Sequence, residues 1–144
     1  MSHQPLNQSY VADVQASFHR QSLMSLIGAE LTRVEPGKIE ITLPFRQDLT
    51  QQNGYLHAGI ITTIADSACG YAAYTLMPAG SSVLSVEFKI NLTRPAIGKK
   101  FVALAEVLKA GRTLTVVRAD VHSHTQDGEV QLVAAMQATM ICLR

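Results

Sequence analysis

Between Leu56 and Met77 the chain carries one charged side chain, Asp66, and is crowded with small residues at Ala58, Gly59, Ala65, Ala68, Gly70, Ala72 and Ala73. The run is long enough to span a bilayer, but His57, Asp66, Thr62, Thr63 and the glycines are penalised in hydrocarbon. The stretch therefore predicts one long helix buried in a water-exposed domain and stopped by Pro78 and Gly80. Its small residues let a sheet backbone approach closely.

The rest of the pattern is mostly strand. Ahead of the helix, Val11, Val14 and Phe18 after a candidate N-cap at Ser9, then Leu23, Met24, Leu26 and Ile27 up to Gly28, predict one or two short helices. Ala29, Leu31 and Val34 form a first strand, Pro36-Gly37 a turn, and Ile39, Ile41 and Leu43 a half-buried second strand. Residues 45–55 have no period and predict an ordered loop. After the helix come alternating runs at 82–94, 100–110, 113–125 and 129–143, the last two joined by Asp127-Gly128, a hairpin signal. They predict an antiparallel meander, with a bulge or face change where the apolar phase slips between Val116 and Val117. No repeat, low-complexity tract or linker interrupts residues 1–144, which predict a single α+β domain with a loose terminus at 1–8.

One helix cannot cover both faces of such a sheet, so apolar surface or a sheet edge stays open within one chain. Composition agrees: 47% of residues are hydrophobic and 16% charged, against roughly 25% charged in an average soluble chain. Both features predict a homodimer. Twelve Lys+Arg against 11 Asp+Glu give a net charge of +1 without a basic cluster, which argues against nucleic acid or an anionic membrane as partner. Cys69 and Cys142 are far apart and no charged-then-apolar leader opens the chain, so the expected compartment is the reducing cytoplasm.

The chemistry concentrates between Gln51 and Asp66. His57, Ala58 and Gly59 fall where the loop enters the helix, and N–H groups at a helix start lack intrahelical acceptors, so they are able to hold a carbonyl or an oxyanion. Asp66 sits in an otherwise uncharged helix, where a carboxylate is costly to bury. It follows His57 by nine residues, about 13.5 Å and about 180° of an α-helix. A carboxylate and an oxyanion donor must both lie about 3 Å from one reacting carbon. If both act in one site, they come from two chains.

The run from Gln51 to Asp66, followed by Ser85-Val86-Glu87-Phe88-Lys89-Ile90-Asn91-Leu92-Thr93-Arg94-Pro95-Ala96 and by Gly111-Arg112-Thr113-Leu114, resembles the PaaI-like (phenylacetic acid degradation) branch of hotdog-fold acyl-CoA thioesterases. The resemblance covers roughly Leu26 to Leu143. It implies a long central helix wrapped by a five- to six-stranded antiparallel sheet, a homodimer that pairs into a dimer of dimers, and hydrolysis of an acyl-CoA thioester to a carboxylic acid and free CoA. It implies no metal or other cofactor, CoA being part of the substrate.

Residue by residue, the resemblance implies Asp66 as catalytic base or nucleophile, the Ala58 amide as oxyanion donor, and Gln51 as the orienting side-chain amide, with Asn53 its near neighbour. Ala58 departs from the Gly common in the family, which keeps the donor but adds a methyl group. His57 is implied to bond the thioester or to tie the loop, and Ser85 to hold the attacking water or to make room under the helix. Gly59 and Tyr55 would line the substrate, and Lys89, Arg94 and Arg112 would meet the CoA phosphates. His122 and His124 share a strand face without an evident third metal ligand, and Tyr71 and Tyr74 are expected to pack. Two rivals are a non-catalytic acyl-CoA-binding module, which has no need of Asp66 beside a thioester, and an enoyl-CoA hydratase, which the half-turn offset between His57 and Asp66 disfavours.

Overall fold

Residues 2–144 are described by a computed structural model. Helix α1 spans Tyr10–Arg20 and α2 spans Ser22–Ile27, with Gln21 between them and left-handed Gly28 (φ 79°) ending the second. Val14, Phe18, Met24 and Ile27 are buried, whereas Val11 is exposed, so the apolar stripe is narrower than its spacing implies. Ser9 stands at the cap position, yet its side chain makes no cap bond. Asn7 organises the first turn instead, accepting from the Ser9 N–H (2.9 Å) and donating to Asp13 (2.7 Å). The expected loose terminus is also tied down: His3 Nε2 lies 3.3 Å from the Val107 carbonyl, and its ring stands against Gly37.

Strands β1 (Glu30–Glu35) and β2 (Lys38–Pro44) flank the Pro36-Gly37 turn, and Ile39, Ile41 and Leu43 point into the core. The long helix α3 runs from Ala58 to Tyr74, and β3 (Ser82–Leu92), β4 (Lys100–Lys109), β5 (Leu114–His124) and β6 (Val130–Leu143) follow. All six strands make one antiparallel sheet in the order β1-β2-β4-β5-β6-β3. The meander holds for β4, β5 and β6 but not for β3, which pairs with β6 at the far edge. A hairpin from β3 to β4 would need a tight turn. Residues 93–99 instead cross the end of the sheet, and the loop before α3 pins them there, with Leu56 N–H on the Ala96 carbonyl (3.1 Å) and Phe45 N–H on that of Lys99 (2.9 Å).

On the inner sheet face alanines alternate with larger side chains: Ala103 and Ala105 on β4, Ala119 on β5, Ala134 and Ala138 on β6, all buried. They meet Ile61, Ile64, Ala65, Ala68 and Ala72, so helix and sheet backbones come close and the core fills by interdigitation. Strand β5 alternates without a slip, burying Thr115, Val117, Ala119, Val121 and Ser123. The apparent phase change arises because a polar residue, Thr115, takes an inward position. The irregularity lies on the neighbouring strand, where Leu108 is the extra residue between the pairs Val107↔Val117 and Lys109↔Val116. A second bulge, at Val86 on β3, separates Ser85, opposite Met140, from Glu87, opposite Thr139.

Candidate active site

The loop before α3 is built by its own polar groups. The Gln51 side-chain carbonyl accepts the N–H of Asn53 (2.6 Å) and of Tyr55 (3.3 Å), and Gly54 (φ 83°) turns the chain. With its oxygen so engaged, Gln51 has its NH2 end left to donate. The His57 N–H bonds the Leu49 carbonyl (2.9 Å), and its Nδ1 accepts the Gly59 N–H (2.8 Å), which caps α3. An accepting Nδ1 leaves the ring proton on Nε2. Gly59 favours this arrangement, because a Cβ there would stand 3.0 Å from His57 Nδ1 and the ring would have to give way by a few tenths of an ångström.

The N–H groups of Ile60 and Ile61 return to the His57 carbonyl. The Ala58 N–H has no acceptor among the described residues, so one backbone donor stays open at the positive end of a 17-residue helix. Gln51, Tyr55 and Ala58 line one cleft of about 370 Å³, together with Leu92, Arg94 and Ala96.

Asp66 opens into a different cleft, of about 340 Å³. The Ser85 hydroxyl donates to its Oδ1 at 2.7 Å, which leaves Oδ2 free among the described residues. Burial, and then the charge of Asp66, push the Cys69 thiol far above its ordinary pKa, so that sulfur stays protonated and inert. The same cleft contains Ser17 from α1, Gln21 from the junction of α1 and α2, and Tyr71 from α3. Sequence reasoning missed this contribution, because nothing in the spacing of polar residues in an N-terminal helix says which part of a later helix it will cover. The Tyr71 ring does pack as expected, at 6.0 Å from Phe18 and 6.5 Å from Tyr74; its hydroxyl has a separate set of partners.

The expected site residues are thus divided. Gln51, Tyr55, Ala58 and Arg94 gather at the start of α3, while Asp66 and Ser85 gather at its middle, and no single cleft contains both groups. Asn53 lines neither cleft, nor do Lys89, opposite the exposed Gln137, and Arg112, in the β4–β5 turn. His122 and His124 border an outer-face groove with Glu40 and Lys100; among the described residues no three His, Cys, Asp or Glu side chains come together as metal ligands would. No helix is long and apolar enough to cross a membrane.

A family model for the thioesterase superfamily matches residues 53–130, which take in the start of α3, Asp66 and the strands behind it. The chain belongs to the thioesterase superfamily. The crystal structure of a thioesterase family protein from Silicibacter pomeroyi is 48% identical to this thioesterase and superposes with a TM-score of 0.91 over 93% of this chain and 98% of that one. Acyl-coenzyme A thioesterase 13 of Homo sapiens is 31% identical over 91 residues, 62% of this chain and 64% of that protein. The E. coli PaaI protein from the phenylacetic acid degradation operon is 17% identical with a TM-score of 0.83 over 96% of each chain, and it shares the hotdog fold. The thioesterase is accordingly a thioester hydrolase built on one long helix and a six-stranded antiparallel sheet.

Proposed function

We propose that the thioesterase hydrolyses acyl-CoA esters in a site shared by two subunits, with Asp66 and Ser85 from one and Gln51, His57 and Ala58 from the other. The observation that carries this reading is the division of the candidate groups between two clefts, one at the start and one at the middle of the same helix. Strand β3 supports it. Its inner-face residues run antiparallel to α3, with Ser85 beside Asp66 and Leu92 beside Ala58. It is also the sheet edge, with Leu84, Val86, Phe88 and Leu92 exposed by 56, 53, 42 and 53%.

An edge of this kind pairs with another chain unless it is blocked. Antiparallel pairing of β3 with its copy, about the centre of the strand, exchanges the ends and brings the partner's loop to Asp66. A second contact, through Leu104, Leu108 and Leu114 on the outer face, accounts for a dimer of dimers.

In this site the Ala58 N–H and the Gln51 amide bind the thioester oxygen and hold the charge it gains. Asp66 drives attack on the carbonyl carbon, either by taking a proton from water or by attacking through its own Oδ2. When water attacks, its C–O bond forms, the C–S bond breaks, and the thiolate takes up the proton that Asp66 removed, giving CoA and the carboxylic acid; when Oδ2 attacks, the C–S bond breaks as an acyl–Asp66 anhydride forms, and water then cleaves that anhydride to release the acid and restore the carboxylate. Ser85, whose proton is committed to Asp66, offers its oxygen to the water. His57 keeps the loop in place through its Nδ1 cap and presents Nε2–H outwards. Arg94, at the same end as Ala58, is the basic residue placed to meet CoA phosphates, and Tyr55 lines the substrate beside it.

The test is subunit complementation. An Asp66→Asn chain mixed with a Gln51→Ala chain forms heterodimers in which one site has both wild-type halves. Random pairing makes about half the dimers mixed, so thiol release near a quarter of wild type is expected, with subunit exchange verified by tagging each chain. Verified heterodimers without recovered activity would overturn the shared site, and a protein that binds acyl-CoA but releases no thiol would be a binding module instead.

A further inference from the structure

The Asp66 cleft ends in a polar cluster that thioester hydrolysis does not use. Tyr71 is 4% exposed and lies five residues beyond Asp66 on α3, roughly 7.5 Å along the axis. Helical side chains lean towards the N-terminus, which returns its hydroxyl towards the level of Asp66. Gln21 Nε2 donates to that hydroxyl at 2.8 Å, and the Ser17 hydroxyl lies 3.1 Å from it, either oxygen being able to donate.

Two hydroxyl groups share one hydrogen bond, so whichever donates, the other O–H has no acceptor among the described residues. The Gln21 side-chain oxygen likewise accepts nothing there. An open donor and an open acceptor therefore stand together at the end of a cleft whose sides include Val83 and Met140.

Gly70 lines the same cleft as Asp66 and this cluster. A Cβ placed on Gly70 would meet nothing within 4 Å, so the helix leaves open space in the cleft where any other residue would project. A hydrocarbon tail lying over Gly70 would desolvate the O–H and the Gln21 oxygen without replacing their bonds. A hydroxyl group, which both donates and accepts, satisfies the two together.

We propose that Ser17, Gln21 and Tyr71 determine acyl specificity, and that the preferred substrate is a short acyl thioester carrying a hydroxyl at its far end. This rests on the reading of the Asp66 cleft as the acyl end of the hydrolytic site.

The test compares 6-hydroxyhexanoyl-CoA with hexanoyl-CoA as substrates of the full-length protein. The wild type is expected to favour the hydroxylated ester by about tenfold in kcat/KM, and the triple variant Ser17→Ala, Gln21→Leu, Tyr71→Phe to lose that preference. Gly70→Leu, which projects into open space and leaves the cluster itself intact, is expected to depress both six-carbon esters about tenfold relative to acetyl-CoA. If the wild type hydrolyses acyl-CoA esters without preferring the hydroxylated one, or if Gly70→Leu leaves the ratio to acetyl-CoA unchanged, the specificity proposal falls and the hydrolase reading stands. If no thioester is hydrolysed at all, both fall.

Discussion

The two clefts along α3 are made from different materials. The one at the helix start is made largely of backbone: an open Ala58 N–H, a loop closed on the Gln51 oxygen, and a histidine spent on capping. The one at the helix middle is made of side chains from separate elements, with Asp66 on α3, Ser85 on β3, Ser17 on α1 and Gln21 at the junction of α1 and α2. A backbone donor survives most substitutions at its own position, whereas a carboxylate survives almost none. The half that binds charge is therefore tolerant in sequence, and the half that does chemistry is not.

Asp66→Asn should break this pairing most severely. The amide keeps the shape and accepts the Ser85 bond but has lost the base or nucleophile, so kcat should fall by on the order of 10²-fold or more. Retained turnover in a thiol-release assay would remove Asp66 from the mechanism. Phe88→Asp should come next, because it puts a charge on an exposed apolar edge that is proposed to meet its own copy. The variant should fold, as judged by circular dichroism, but sediment as a monomer with activity lost in proportion to the dimer. A dimeric, active Phe88→Asp protein would place the subunit contact elsewhere.

The smallest effect sharpens the loop half. Gln51→Ala should lower kcat on the order of tenfold by removing one oriented donor, whereas Asn53→Ala should change little, since only the Asn53 backbone N–H takes part in the turn. Parallel steady-state kinetics decide this, and the reverse ranking would make Asn53 the working amide.

Some of this was legible in the chain. The start of α3 at Ala58 follows from a polar, aperiodic loop giving way to an apolar, small-residue run, and Asp66 stood out because a lone carboxylate in such a run is costly to bury. The separation of Asp66 from Ala58 needed only the rise of a helix. Gly37 and Gly28 marked their turns because both adopt positive φ.

Other features depended on three dimensions. The alternation of β3 is the same whether it pairs with β4 or β6, because alternation reports faces and not neighbours. In the folded chain it lies at the far edge, and residues 93–99 cross the end of the sheet, pinned by the loop before α3. Thr115 made β5 look out of phase because hydrophobicity is an imperfect proxy for direction, and the bulge proved to be on β4. The presence of Ser17, Gln21 and Tyr71 in the Asp66 cleft rests on how α1 packs against α3, a contact between distant parts of the chain. Sequence alone determined the elements, the half-turn offset along α3 and the residues with unusual chemistry, since these follow from local backbone geometry and desolvation. The tertiary structure decided which strand became the open edge and which side chains met Asp66, because long-range packing selects among pairings that local patterns leave equivalent.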